Sequence, residues 1–241
     1  WPSGKAEDWV VHLHGHGSTG DQIFTRVDIR DAWLIRYREM ELGVLSANIR
    51  GNSWMAPEAA DDLHALLDFC RKHYGIRRFH FVSGSMGGTS NLAYASRFPQ
   101  DVSTVVALCP ATDVGRYHQW CKDHPGGVRD EIRLAIETAY LGTPAETPDR
   151  YALQSACAHS ERLTMPVFIS HGTSDDLIPI SESRAFSTRM AGKPSFCYRE
   201  MEGGHHDSPL YDTRMLGWLE EQVMIPRYPG SCCDRDAQEA G

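Results

Sequence analysis

An α/β class, with a mainly parallel sheet covered by helices on both faces, is predicted by two features of the sequence. Short apolar runs alternate with amphipathic stretches through most of the 241 residues, in the order strand, helix, strand, helix. Apolar residues make up 41% and charged residues 23%, which suits a globular chain long enough to bury a full core in one domain. In such sheets the reactive loops lie beyond the carboxyl ends of the strands, so the residues after each run carry the interest.

The elements follow in order. WVVHLHG (9–15) reads as the first strand and GVLSANI (43–49) as the second. PEAADDLHALLDFCRKHY (57–74) has Leu63, Leu66, Leu67 and Cys70 at helical spacing, with acidic residues early and basic ones late, the polarity that suits a helix dipole. RFHFVSG (78–84) is a third strand and GGTSNLAYASRF (87–98) a helix. Strands follow at 103–109, 165–172 and 195–201, with helices near 181–191 and 212–224. The segment 112–162 breaks the rhythm, being rich in charge, Pro, Gly and aromatics, including Tyr117, Trp120, Tyr140 and Tyr151. We read it as a cap inserted over the sheet of a single domain spanning 1–241. The last stretch, 226–241, has no periodicity and reads as an irregular tail.

Bulk charge excludes some partners. The formal net charge is −8 and the Lys and Arg residues are scattered, which argues against nucleic acid. No run reaches the length of a membrane span. A small molecule or an uncharged polymer is the expected substrate. The first residue is Trp1 rather than Met, so a processed or partial chain is expected, and compartment and oligomeric state stay open. Of seven cysteines, Cys70 and Cys109 sit in apolar runs and read as buried thiols. Cys121, Cys157, Cys232 and Cys233 read as more exposed. One or two disulfides would suit an exported chain, with at least one thiol left over. No C-x-x-C pair suggests a zinc knuckle or a redox motif.

The stretch VVHLHGHGSTG (10–20) poses the functional question. His12, His14 and His16 alternate along a strand, and three imidazoles on one face could converge on zinc. The rest of the chain offers another reading. HFVSGSMGGTSNLAY puts Ser85 between a strand and a helix among small residues. A tight strand-to-helix turn exposes a nucleophile's hydroxyl, and the helix N-terminus supplies N–H groups for an oxyanion. This resembles the nucleophile elbow of the α/β-hydrolase superfamily, a likeness that covers nearly the whole chain. Where the G-x-S-x-G pattern wants its first glycine, this sequence has Ser83. The superfamily also usually has two strands before the first one found here, where this chain has eight residues. A minimal fold or missing upstream sequence would account for that, the latter leaving an exposed sheet edge.

The resemblance implies a triad in the order Ser, acid, His. FISHGTSDDLIP resembles the family's acid turn, and counting back from Pro179 gives Asp175, with Asp176 the runner-up. MEGGHHDSP resembles the histidine loop, where His205 is the better match and His206 its runner-up. His-Gly-His-Gly takes the place of the oxyanion loop. The backbone N–H groups of His16 and Met86 would form the oxyanion hole, His14 would brace the loop, and His12 would be an interior strand residue. Trp54, Tyr117 and Trp120 are candidates for substrate contact, in each case against simple packing. Arg50 reads as half of an ion pair and Asp113 as a helix cap; His118, His124 and His159 read as solvated or capping side chains. The implied activity is hydrolysis of carboxylic esters by acyl transfer to Ser85 and then to water, without cofactor or metal. Short acyl or aryl esters, including carbohydrate-linked ones, are the favoured substrates. A peptidase or thioesterase on the same fold is the nearest alternative. A metal-dependent hydrolase on the His12/His14/His16 strand, or a non-catalytic binding protein, stands further off.

Overall fold

Residues 7–224 are described by a computed structural model. The strands are β1 (Asp8–His12), β2 (Gly43–Ser46), β3 (Arg78–Gly84), β4 (Thr104–Leu108), β5 (Val167–Gly172) and β6 (Phe196–Met201). They pair in the order β2-β1-β3-β4-β5-β6, every neighbour parallel. In register, Val10 faces both Val44 and His80, and Ser83 faces Ala107. The central strands are apolar on alternate faces, because side chains of period two must meet a core above and another below. Phe79, Phe81, Val105 and Val167 enter one core with Leu63, Leu67 and Leu92. Val82, Val106 and Phe168 enter the other with Trp33, Tyr37 and Leu219.

The helices are α1 (Gln22–Thr25), α2 (Val27–Glu39), α3 (Pro57–Tyr74), α4 (Met86–Arg97), α5 (Val114–Asp123), α6 (Val128–Tyr140), α7 (Pro148–Leu153), α8 (Ser181–Met190) and α9 (Arg214–Met224). Helix α3 starts on Pro57 and ends on Gly75, whose φ of 70° suits a residue without Cβ at the helix stop. Helices α3, α4 and α8 cover one face of the sheet, and α2 and α9 cover the other. Between β4 and β5, helices α5, α6 and α7 enclose a third apolar cluster with Tyr117, Ile132, Ile136, Tyr140 and Tyr151. None of the described helices is long and apolar enough to cross a membrane.

Two expectations change. The pair α1 and α2 fills a region where the sequence pattern gave no helix. Only Ile29, Trp33 and Tyr37 of α2 are buried, while Ile35 is exposed, so no clean apolar stripe marks it. Cys121 and Cys157 are buried rather than exposed, since α5 and the turn after α7 pack inward. Cys70, Cys109, Cys121, Cys157 and Cys197 are free thiols, and the expected tail with Cys232 and Cys233 lies outside the described residues.

Candidate active site

Ser85 stands at the junction of β3 and α4 with φ 57° and ψ −129°. A non-glycine residue held there costs about 1–3 kcal/mol, so the surroundings must impose it. They do. The Ser85 N–H donates to the Leu108 carbonyl at 2.9 Å, and the Ser85 carbonyl accepts from Thr89 N–H at 2.9 Å and Thr89 Oγ1 at 3.1 Å. Thr89 Oγ1 in turn accepts from the Ala111 N–H at 2.9 Å, tying the turn to the segment after β4.

Close approach explains the neighbouring residues. A Cβ on Gly87 would lie 2.0 Å from the Leu13 carbonyl oxygen and 2.8 Å from Ser83 Cβ. Glycine at 87 therefore leaves room for a side chain at 83. That side chain has a role, since the buried Ser83 Oγ accepts from the Leu13 N–H at 2.9 Å. The departure from G-x-S-x-G thus joins the elbow to the loop after β1.

Asp175 lies just past the end of β5. Asp175 Oδ1 accepts the N–H groups of Leu177 and Ile178, both at 2.9 Å. Its Oδ2 lies 2.7 Å from His206 Nδ1 and 3.2 Å from His171 Nε2. Burial works against this carboxylate, but hydrogen bonds from His171 and His206 outweigh it and hold its pKa below the usual range. Asp176 is exposed and takes no part.

The histidine that the fold brings against Asp175 is His206. A Cβ on Gly172 would lie 2.1 Å from the Gly204 carbonyl oxygen, so the end of β5 and the histidine loop meet backbone to backbone. Ser174 N–H seals this contact on Gly204 O at 2.9 Å. With Gly204 fixed, the next side chain, His205, turns outward to the Ser174 carbonyl at 3.2 Å and is exposed, while His206 turns inward. The structure thus brings the runner-up His206, and not His205, against Asp175.

With Nδ1–H donated to Asp175, His206 presents Nε2 as an acceptor. Cys109 Sγ stands 4.0 Å from that nitrogen. Burial disfavours the imidazolium, yet Cys109 and Asp175 favour it more, and the His206 pKa is raised above the ordinary value. Cys109, Asp175 and His206 can each offer one ligand atom within 4.8 Å of the others, the one such group among the described residues. The three histidines of the opening stretch do not converge. His14 bridges the Gly15 carbonyl at 2.8 Å and the Asn48 side chain at 2.9 Å, bracing the loop. His16 Nδ1 accepts from Trp54 Nε1–H at 3.3 Å. His12 donates Nδ1–H to the Val82 carbonyl at 3.1 Å.

Ser85, His206 and His16 line one cavity of about 260 Å³, with Ile29, Trp33 and Leu210 on one wall and Val128, Ile132 and Leu177 on another. A larger cavity of about 520 Å³ lies between α3 and α6 and touches none of the three. Trp54, Tyr117 and Trp120 do not line the Ser85 cavity. Trp54 and Tyr117 are buried with their rings 5.3 Å apart, and Trp120 stacks on Tyr117 and His124. Those aromatics form the core beneath α5–α7, which needed its own apolar filling. Arg50 pairs with Asp62, and Asp113 caps α5 by accepting from Arg116 N–H at 2.9 Å. His124 and His159 bond the carbonyls of Trp120 and Ala152, but His118 is buried against Glu137 at 2.8 Å rather than solvated. His171 was missed, although its place four residues before Asp175 is visible in FISHGTSDD.

Comparison with known proteins agrees with this architecture. The family described as the alpha/beta hydrolase fold matches residues 9–128. The chain is 28% identical over 119 residues to monoacylglycerol lipase abhd6-A of Xenopus laevis, covering 46% of this chain and 32% of that protein. It is 22% identical over 231 residues to monoacylglycerol lipase ABHD6 of Rattus norvegicus, covering 89% and 62%. The chain therefore spans less than two thirds of the length of either relative. Among solved structures, the fluorophosphonate-binding serine hydrolase FphF of Staphylococcus aureus superposes with a TM-score of 0.67 at 17% identity, over 92% of this chain and 86% of that one. Six parallel strands, the turn after β3 and these matches lead to one conclusion: the chain has the α/β-hydrolase fold.

Proposed function

We propose that the protein is a serine hydrolase that cleaves carboxylic esters through an acyl-enzyme on Ser85. The observation that carries this reading is the 2.7 Å bond between Asp175 and His206, with Ser85 on a strained elbow in the same cavity. Ser85 Oγ attacks the ester carbonyl carbon while His206 Nε2 takes its proton. Asp175 fixes the tautomer and stabilises the imidazolium. The tetrahedral oxyanion is received by the N–H groups of Met86, at the start of α4, and His16. Collapse expels the alcohol, which leaves with the proton from His206. Water then attacks the acyl-enzyme by the same route, releasing the acid and restoring Ser85. A cavity of about 260 Å³ favours short acyl groups. Helices α5–α7 act as the cap, Val128 and Ile132 of α6 forming its inner surface.

The test is labelling with a fluorophosphonate followed by peptide mapping. Modification confined to Ser85, lost in Ser85→Ala, is the expected result, and an unlabelled folded protein would overturn the assignment. A panel of short esters, thioesters and anilides then separates esterase from thioesterase and peptidase.

A further inference from the structure

His12 was read as an interior strand residue, and it is 2% exposed. Yet the residue lines the Ser85 cavity. One edge is fixed by the Nδ1–H bond to the Val82 carbonyl, and Trp33 meets the ring edge-on with centroids 5.9 Å apart. A carbonyl can only accept, so Nδ1 carries the proton and Nε2 is left with a lone pair. That nitrogen is buried and has no hydrogen-bond partner among the described residues. A buried acceptor without a partner costs about 1–3 kcal/mol, and one on a residue that lines a ligand cavity asks what would satisfy it.

The surroundings narrow the answer. Burial pushes the His12 pKa down to about 4, with the Val82 hydrogen bond and the neighbouring Gln22 side chain opposing and His14 adding to the fall. The ring is therefore a neutral acceptor across the neutral range. The cation at this end, Arg26, is already matched by Asp28 at 2.9 Å and Asp207 at 3.1 Å. Two carboxylates on one guanidinium leave no positive charge for an anionic ligand. Gln22 lines the same end, with Oε1 accepting from the Gly15 N–H at 2.9 Å. Its amide nitrogen carries two donor hydrogens at the cavity that His12 also lines. A neutral group that both donates and accepts fits this pair, and a hydroxyl is the smallest such group.

We infer that His12 Nε2 and the Gln22 carboxamide form a hydroxyl-reading subsite, so that the preferred ester carries a free hydroxyl on the part seated in this cavity. The inference rests on the ester-hydrolase reading of Ser85 and deepens it by naming the substrate class. The hydroxyl can sit on the acyl group or on the alcohol, and the same subsite serves either.

Two matched pairs test it on the whole protein. The acyl arm compares para-nitrophenyl β-hydroxybutanoate with para-nitrophenyl butanoate, and the alcohol arm compares propylene glycol monoacetate with propyl acetate. We expect kcat/KM to favour the hydroxylated member by about 10- to 100-fold in one arm. The arm that responds identifies the side. His12→Asn keeps a donor for Val82 and removes the atom at Nε2, so the ratio should fall towards one. His12→Gln, with a polar atom near the Nε2 position, should retain part of it. Ratios near one in both arms for the wild type overturn the inference, and so does a preference that survives in folded His12→Asn. Should that variant not fold, the wild-type ratios decide alone. Fluorophosphonate labelling keeps the two failures apart: labelled Ser85 with no hydroxyl preference sinks only the subsite, whereas an unlabelled serine with no turnover sinks both readings.

Discussion

His206 Nδ1 lies 2.7 Å from Asp175 Oδ2, and that carboxylate is also held by two backbone N–H groups and by His171. Asp175 is thus held in place by its own contacts, and it holds the imidazole in turn. Asp175→Asn should lower kcat by about 10⁴-fold while the fold persists, because the amide no longer selects the Nδ1–H tautomer. The pH profile supplies the sign. The base must be neutral, so activity rises with pH through the His206 pKa, which burial lowers but Cys109 and Asp175 raise above the ordinary value. Losing the carboxylate moves the acidic limb of the residual activity to lower pH. A limb that stays in place in a kcat/KM profile would detach Asp175 from this histidine.

Adjacent histidines provide a second check. His206→Ala should remove ester turnover by at least about 10³-fold. His205→Ala should leave it within a few-fold, since His205 faces solvent and bonds only a backbone carbonyl. The reverse ranking in steady-state assays would return the base to His205.

The contrast between these two histidines marks the boundary of what was legible in the sequence. The strands β1, β3, β4 and β5 were readable because their apolar runs are largely buried, with side chains entering both cores. The turn at Ser85 was readable because small residues crowd it for a steric reason, seen in the 2.0 Å approach at Gly87. A one-residue choice within GGHH depends on how Gly204 meets Gly172, a contact between distant segments that local pattern does not carry. The same holds for Cys109, which read as a buried thiol but stands beside a histidine 97 residues away. Helix α2 was missed because its exposed Ile35 and intervening charges blur the spacing of Ile29, Trp33 and Tyr37. The aromatics of the inserted segment looked like substrate contacts because composition does not tell a cap's own core from its inner surface.

Ser83 offers a test of that steric argument. Restoring the family pattern with Ser83→Gly removes the acceptor for the Leu13 N–H and frees the backbone of β3. The variant should lose about 1–3 kcal/mol of stability, against the naive expectation that the consensus residue stabilises. Gly87→Ala should be worse, because its Cβ meets backbone rather than a movable side chain. Chemical denaturation of both variants checks the order, and a stabilised Ser83→Gly would remove the role given to the Ser83 hydroxyl.

Acid should destabilise the protein in part through His12. Its pKa falls from an ordinary 6.5 to about 4 in the fold, chiefly by burial. The unfolded chain therefore binds a proton that the folded one refuses, and stability declines as pH drops between those two values. Above 6.5 both states are neutral and the contribution is fully present; below about 4 both are protonated and the loss levels off. The interval corresponds to about 3 kcal/mol from this one side chain. His12→Asn keeps a donor for the Val82 carbonyl and does not titrate, so its stability should fall less steeply across the same window. Denaturation at pH 7, 6, 5 and 4, taken as wild type minus variant, isolates the His12 contribution from that of every other titrating group. A flat difference would mean that His12 is protonated in the folded protein, and its Nε2 would then be a donor rather than an acceptor.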